Sequence, residues 1–367
     1  MNVEVMLYVY GFVCASMIVF NVVYNLLLKR SEPRLERRCR RLREKIELQL
    51  ARLRDGGAVE PGHLILLQRK LSHVKNLIAF DRILGARNGE IREPWEAEYV
   101  RCFQPVLLSL AMAYEKQNAV NAAYFSYFLS RYMEEKHMPI HSLQDILLEY
   151  VRRDNLYCQV NALQALYRFG SAAHILRALL IQDAGSVFLH EKILTEGLLT
   201  FTGDHSELVR LLWDNLDRFS EHTQLAVSNY IRFQTGELCG EMLGVLQDEK
   251  RGKELRLSAI RYFGRYFYEP AREPLLALAS LRDPEQWEYV TVSVSALSRY
   301  PGERTVAVLK QALHSANWYV RFDAAASLEA LRVDIAELTD ILAGNDRYAR
   351  EMLQYRMESG RMRKAGG

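Results

Sequence analysis

The chain has 367 residues, of which 49% are hydrophobic and 25% charged, a balance that excludes a disordered or fibrous polymer and suits a large folded core. Its net charge is +3. Residues 29–54 hold eleven Lys or Arg against four Glu, a net of +7, and Glu4 adds −1, so residues 55–367 carry about −3. A body this near neutrality is unlike a nucleic-acid-binding domain, which is normally basic, and no nucleic-acid partner is expected.

Val5–Leu28 is a 24-residue stretch without a charge. As a helix it would be about 36 Å long, enough to cross a hydrocarbon core of roughly 30 Å. Tyr8 and Tyr10 lie near one end and Tyr24 near the other, where amphipathic rings favour the interface. A cleaved signal peptide fits poorly, because no basic segment precedes the stretch and it is long. A buried core helix rarely runs this far without a charge. Residues 1–30 are therefore expected to be a single-pass anchor. The positive-inside rule places the N-terminus outside and the C-terminal body in the cytoplasm, at the cell membrane. Gly11 and Ala15 form a small-xxx-small pair, and Asn21 and Asn25 lie one turn apart. They suit packing against a partner helix in the membrane, or, for the two amides, a wet position near the cytoplasmic interface.

Residues 31–86 are expected to form a basic juxtamembrane hairpin. Leu35, Cys39, Leu42, Ile46, Gln49 and Leu53 follow three-four spacing, as do Leu64, Leu67, Leu71, Val74 and Ile78. Between them Gly56-Gly57-Ala58-Val59-Glu60-Pro61-Gly62 breaks the helix. The arms span about 33–54 and 63–84, serving as a stalk or as a cap on the first repeat. Lys29, Arg30, Arg34, Arg37, Arg38 and Arg41 are the candidates for anionic lipid headgroups.

From residue 87 to 358 helical periodicity continues. The clearest segment is Leu313-His-Ser-Ala-Asn-Trp-Tyr-Val-Arg-Phe-Asp-Ala-Ala-Ala-Ser-Leu328. Weaker copies begin at Tyr157, Leu189, Gln224, Leu255 and Trp287. Their anchor positions Leu166, Leu198, Ile231, Phe263, Leu297 and Leu328 are separated by 32, 33, 32, 34 and 31 residues. Turn signals fall between them at Gly170, Gly203-Asp204, Gly236, Pro270, Asp283-Pro284 and Pro301-Gly302. The last segment resembles the HEAT-repeat signature at Val320, Arg321, Ala324, Ala325 and Leu328, with Ser327 in place of a small apolar residue. The resemblance implies an all-α fold, an α-solenoid of HEAT-like helix pairs. Such proteins bind other macromolecules along a curved surface. HEAT-like groups also include bilin lyases of the phycobilisome type and DNA glycosylases, but no catalytic residue of either kind matches here. Residues 94–150 are helical and off-pattern, as terminal repeats tend to be. Residues 359–367 are expected to be a flexible basic tail.

The five cysteines are scattered and form no CxxC pair, which suits a reduced compartment. His137 and His141 are four apart, but Pro139 intervenes and no third ligand is near in sequence. His190-Glu191 begins like a zinc-protease motif, yet Leu194 stands where the second His belongs. No phosphate loop, dinucleotide fingerprint or nucleophile elbow occurs, and no cofactor, metal or catalytic residue is assigned. Arg261-Tyr-Phe-Gly-Arg-Tyr-Phe-Tyr268 interleaves aromatics with arginines, either as inter-repeat core or as a protein-docking hot spot. The surface candidates are Arg261, Tyr262, Arg265, Tyr266, Trp287, Trp318, Tyr319 and Arg321. The function expected is a membrane-anchored scaffold or adaptor that binds a partner protein, such as an integral membrane enzyme or transporter. A HEAT-like enzyme and a ligand-responsive membrane sensor are the alternatives.

Overall fold

The computed structural model describes the backbone of residues 3–87, 94–132 and 141–365; side chains of residues 3, 7, 25–31, 87 and 357–365 are outside the described set. Asn25, Lys29, Arg30 and His137 therefore lie outside the described side chains. Among the described residues all regular structure is helical. The chain divides into two compact units, residues 1–188 with 201–204, and residues 189–200 with 205–367.

The first unit opens with α1 (Val3–Arg54), a single helix that runs through Pro33 without a break. The separate anchor and arm expected on either side of residue 31 are thus one element. Its Glu4–Tyr24 stretch has a mean hydropathy of 2.0 and none of it is buried; by length and apolarity it can cross a membrane. Further along, Cys39, Leu42, Ile46, Gln49 and Leu50 are buried, so the seam read from the sequence faces protein. The helix ends in a Schellman turn: Gly57 N–H donates to Arg52 O (2.8 Å) and Gly56 N–H to Leu53 O (3.1 Å). Gly56 takes φ +81°, which favours a residue without a β-carbon. The Gln49 amide then holds the return of the chain, accepting from Glu60 N–H at 2.9 Å.

The second arm is two helices, α2 (Pro61–Leu71) and α3 (Val74–Arg87), rather than one. Side chains take the carbonyls at the break. Asn76 donates to Lys70 O (2.8 Å), Tyr114 to Leu71 O (2.7 Å) and Gln117 to Ser72 O (2.9 Å). These bonds satisfy groups that a continuous helix would have used itself. After α4 (Pro94–Cys102), α5 (Gln104–Glu115), α6 (Ala119–Tyr132), α7 (His141–Val151), α8 (Leu156–Phe169) and α9 (Ala172–Asp183) complete the unit. The hairpin is built into this body: α1 packs on α3 and α4, α2 on α5, and α3 on α6. Beyond it α5 packs on α7, α6 on α8 and α7 on α9. The start of α8 is set by Asn155, whose side chain accepts from Cys158 N–H, and the start of α9 by Ser171, which accepts from His174 N–H.

The second unit comprises α10 (Glu191–Leu199), α11 (His205–Asp214), α12 (Glu221–Gln234), α13 (Cys239–Gln247), α14 (Lys253–Phe263), α15 (Arg272–Ala279), α16 (Trp287–Ala296), α17 (Glu303–Ala312), α18 (Trp318–Ala330), α19 (Thr339–Leu342) and α20 (Arg347–Ala365). The last helix continues to Ala365, through much of the stretch expected to be a flexible tail. Every second helix packs on the next: α10 on α12, then α14, α16, α18 and α20 in turn. Small polar side chains bond between these neighbours. Thr195 donates to Ala226 O (3.0 Å), Ser228 meets Ser258 (2.9 Å), and Ser327 donates to Val294 O (2.9 Å). Ser327, the departure from the repeat pattern, is therefore a buried hydroxyl with a partner. The anchors Leu198, Ile231, Phe263, Leu297 and Leu328 are all essentially buried, as is Leu166 in the first unit.

Candidate functional site

The basic face of α1 forms one candidate site. Arg34, Arg37 and Arg41 are exposed and Arg38 is half-buried. With Lys45 and Lys70 they line a groove of about 670 Å³ between α1 and the second arm, where Glu44 is the one acid. Arg38 donates to Asn76 Oδ1 at 2.9 Å, which fixes one guanidinium toward α3, and Arg37 Nε donates to Pro33 O at 3.2 Å. A cluster of cations with one nearby carboxylate can take anionic headgroups or other polyanions. Further along α1 toward its N-terminus, Gly11 and Ala15 are exposed, and a β-carbon at Gly11 would meet nothing within 4 Å. Asn21 Nδ2 already donates to Met17 O at 3.0 Å, so half of its amide is satisfied within its own helix.

The aromatic segment 261–268 is divided by the end of α14 at Phe263. Tyr262 is fully buried, and its hydroxyl accepts from Leu238 N–H at 3.1 Å. This corrects its expected place on the surface. Tyr262 and Tyr266 lie together: Tyr266 N–H donates to Tyr262 O at 2.9 Å and the two rings pack with their centres 4.9 Å apart. Burial raises the Tyr262 phenol well above its ordinary range, so it stays a neutral pin between α14 and the start of α13. Tyr266 is half-buried over Gly236, where an added β-carbon would come within 2.6 Å of the ring.

Arg261 and Arg265 do meet on one surface, and two arginines missed by the sequence reading join them. Arg232 and Phe233 at the end of α12, and Arg299 in the 3-10 turn Leu297–Arg299 after α16, line the same groove of about 480 Å³. The Arg232 and Arg265 guanidiniums lie 5.0 and 5.3 Å from the Phe233 ring centre. Burial, then the charges of Arg261 and Arg265, lowers the Arg232 pKa from its ordinary value. A periodic signal for the missed pair does exist: Arg232, Arg265 and Arg299 are separated by 33 and 34 residues, one repeat each.

Trp287, Trp318 and Tyr319 form a separate aromatic group. Trp287 stacks on Tyr319 at 5.8 Å, and Trp318 meets Tyr319 edge-on at 5.3 Å. Trp318 and Tyr319 are about half exposed, and Trp287 lines a cleft of about 540 Å³ with Leu281, Val290, Val308, Asn317 and Val320. Its apolar walls can take a flat ligand or an aromatic side chain. Arg321 is occupied in the fold. It donates to Ser315 O (2.6 Å) and Ala316 O (3.1 Å), closing the turn before α18, and its guanidinium lies over Tyr348.

The buried histidines act as packing groups. His63 bonds Tyr99 at 2.8 Å, and His174 stacks on His141 beside Asp145; burial lowers the pKa of both His63 and His174. Comparison with known proteins finds no family that matches the chain and no curated protein similar to it.

Proposed function

We propose that this protein is a single-pass, membrane-anchored scaffold whose helical-repeat body, a HEAT-like solenoid facing the cytoplasm, docks a partner protein beside the membrane. The observation that carries this reading is the continuity of α1. One helix presents an apolar stretch with no buried residue and then, without a joint, a basic face whose opposite side is packed into the folded body. A core helix would have its apolar face covered. Here that face is bare, and the cations follow where headgroups would lie.

The packing of alternate helices supports the repeat reading, as do the polar bonds between them. Arg177–Asp145, Thr195–Ala226, Tyr268–Tyr300 and Ser327–Val294 are separated by 32, 31, 32 and 33 residues, the spacing of the sequence repeat. Within each unit alternate helices pack in succession, an arrangement that a solenoid also has. A tether of this kind holds the body and a membrane partner at an effective concentration near the millimolar range without any new contact.

The test is fractionation and crosslinking from native membranes, with the full chain and with a chain lacking residues 1–28. The full chain should stay with membranes through carbonate and high-salt washes, and the shortened chain should not. One protein captured by both would place docking on the body. A full chain released by carbonate would end the anchor reading, and capture of no specific protein would end the adaptor reading.

A further inference from the structure

Several arginines elsewhere in the second unit have carboxylate partners, and others, such as Arg321 and Arg350, are spent on backbone carbonyls. Arg251 pairs with Asp217, Arg272 with Glu269, Arg304 with Glu273 and Arg356 with Glu329. Among the described residues no ion pair takes in Arg232, Arg261, Arg265 or Arg299, although all four line one groove. Like charges held together repel by about 1 kcal/mol at 4 Å in water and more where solvent is excluded. The fold gains little in return. Arg299 Nε donates to Gly264 O at 2.8 Å, and two of the other three rest against Phe233. Such an arrangement is explained when a ligand supplies the missing anions.

The layout indicates the ligand's shape. Arg232 and Arg265 meet over the Phe233 ring, and Arg261 and Arg299 line the same groove. They are spread over α12, α14 and the end of α16, three helices packed in succession. Packed helices lie roughly 8–10 Å apart, so the three helices that carry the groove span roughly 20 Å, the length of an extended segment of about six residues. Phe233, 43% exposed, stands in the groove, and Val292 and Ala296 line it as well. Forked guanidiniums pair with carboxylates in bidentate fashion, and the ring offers a seat for an apolar side chain.

We propose that this groove binds an acidic peptide segment of the partner, its carboxylates taken by Arg232, Arg261, Arg265 and Arg299 and an apolar side chain seated on Phe233. The proposal rests on the reading of this body as a docking scaffold, and not on where the chain is anchored.

The test is fluorescence anisotropy with full-length protein in detergent. The probe is a labelled peptide of about eight residues containing Asp, Glu and one central Phe, a length set by the groove. The comparison peptide replaces Asp and Glu by Asn and Gln. The acidic peptide should bind at least about tenfold more tightly, the scale of one or two charge-assisted bonds. Arg261→Gln with Arg265→Gln should remove that preference, Phe233→Ala should weaken both peptides, and Arg34→Gln with Arg37→Gln should change nothing. Arg299→Lys keeps the charge and loses the fork, so it should weaken binding of the acidic peptide partially. Equal binding of the two peptides, or an undiminished preference in the double variant, overturns the proposal. So does tighter binding of oligothymidylate or phosphatidylserine vesicles through the same arginines. If the anchor reading alone fails, the protein leaves the membrane fraction while the peptide preference persists.

Discussion

Asp81 is the one buried acid among the described residues of the first unit. Its carboxylate accepts from Tyr124 (2.7 Å), Tyr132 (2.8 Å) and Arg131 (3.3 Å), which joins α3 to α6. Only 6% of the residue is exposed. Replacing it by Ala removes the carboxylate from Tyr124, Tyr132 and Arg131, although Tyr132 keeps the Asp81 backbone carbonyl and Arg131 keeps water, and Asp81→Ala should cost about 2–3 kcal/mol, the scale of lost bonds to a buried charged group. Tyr124→Phe removes one neutral donor and should cost about 1 kcal/mol. Urea unfolding of both variants checks the order, and equal losses would show that the carboxylate is not the centre of the network. Nothing in the sequence marks Asp81, because its partners lie 43 to 51 residues away. The same limit applied at Tyr262. Its type and spacing were visible, but the chain end of its helix at Phe263 decided which way it faced. Past that end Arg265 is exposed, whereas Tyr266 is half-buried against Gly236 and Tyr262.

Individual helices show why boundaries are harder to read than faces. The middle of the α1 seam was legible from three-four spacing at Cys39, Leu42, Ile46 and Gln49, though Leu35 and Leu53 are half-buried and Leu50 was missed, and the end of the helix was legible from Gly56-Gly57. The continuation through Pro33 was not, since proline usually weakens a helix interior by removing a donor and crowding the preceding turn. The break at Ser72-His73 was also hidden, because the groups that satisfy it, Tyr114 and Gln117, come from α5 and the turn after it. Two glycines test the local reading of these ends. Gly56 has φ +81°, so Gly56→Ala should lower stability by roughly 1 kcal/mol through left-handed strain. Gly62 lies in the first turn of α2 with open space around it, so Gly62→Ala should raise stability by about 0.5–1 kcal/mol. Thermal melting of the two variants should give shifts of opposite sign. Shifts of the same sign would mean that the Schellman turn does not set the end of α1.

At the scale of the whole molecule, the period of 31 to 34 residues between Leu166 and Leu328 was legible in sequence, and every one of its six anchor positions is buried. The charge distribution was legible in the same way, since +7 over residues 29–54 stands out against a body near neutrality. What sequence could not supply was the depth of the basic face. Folding α2 and α3 back beside α1 adds Lys70 to the cations of α1 and makes a groove of about 670 Å³ rather than a flat helix surface. This predicts how the body should meet lipid once the apolar stretch is removed. A chain lacking residues 1–28 should sediment with vesicles containing phosphatidylserine and not with purely zwitterionic ones. Basic residues at an anionic surface contribute about 1 kcal/mol each, so Arg34, Arg37, Arg38 and Arg41 changed together to Gln should weaken association by roughly two to three orders of magnitude. Screening shortens from about 10 Å at 0.1 M salt to about 3 Å at 1 M, and the unaltered chain should be released over that range. Retention at 1 M salt would show that apolar contact holds the body to lipid, and the arginines would then lose their assigned role.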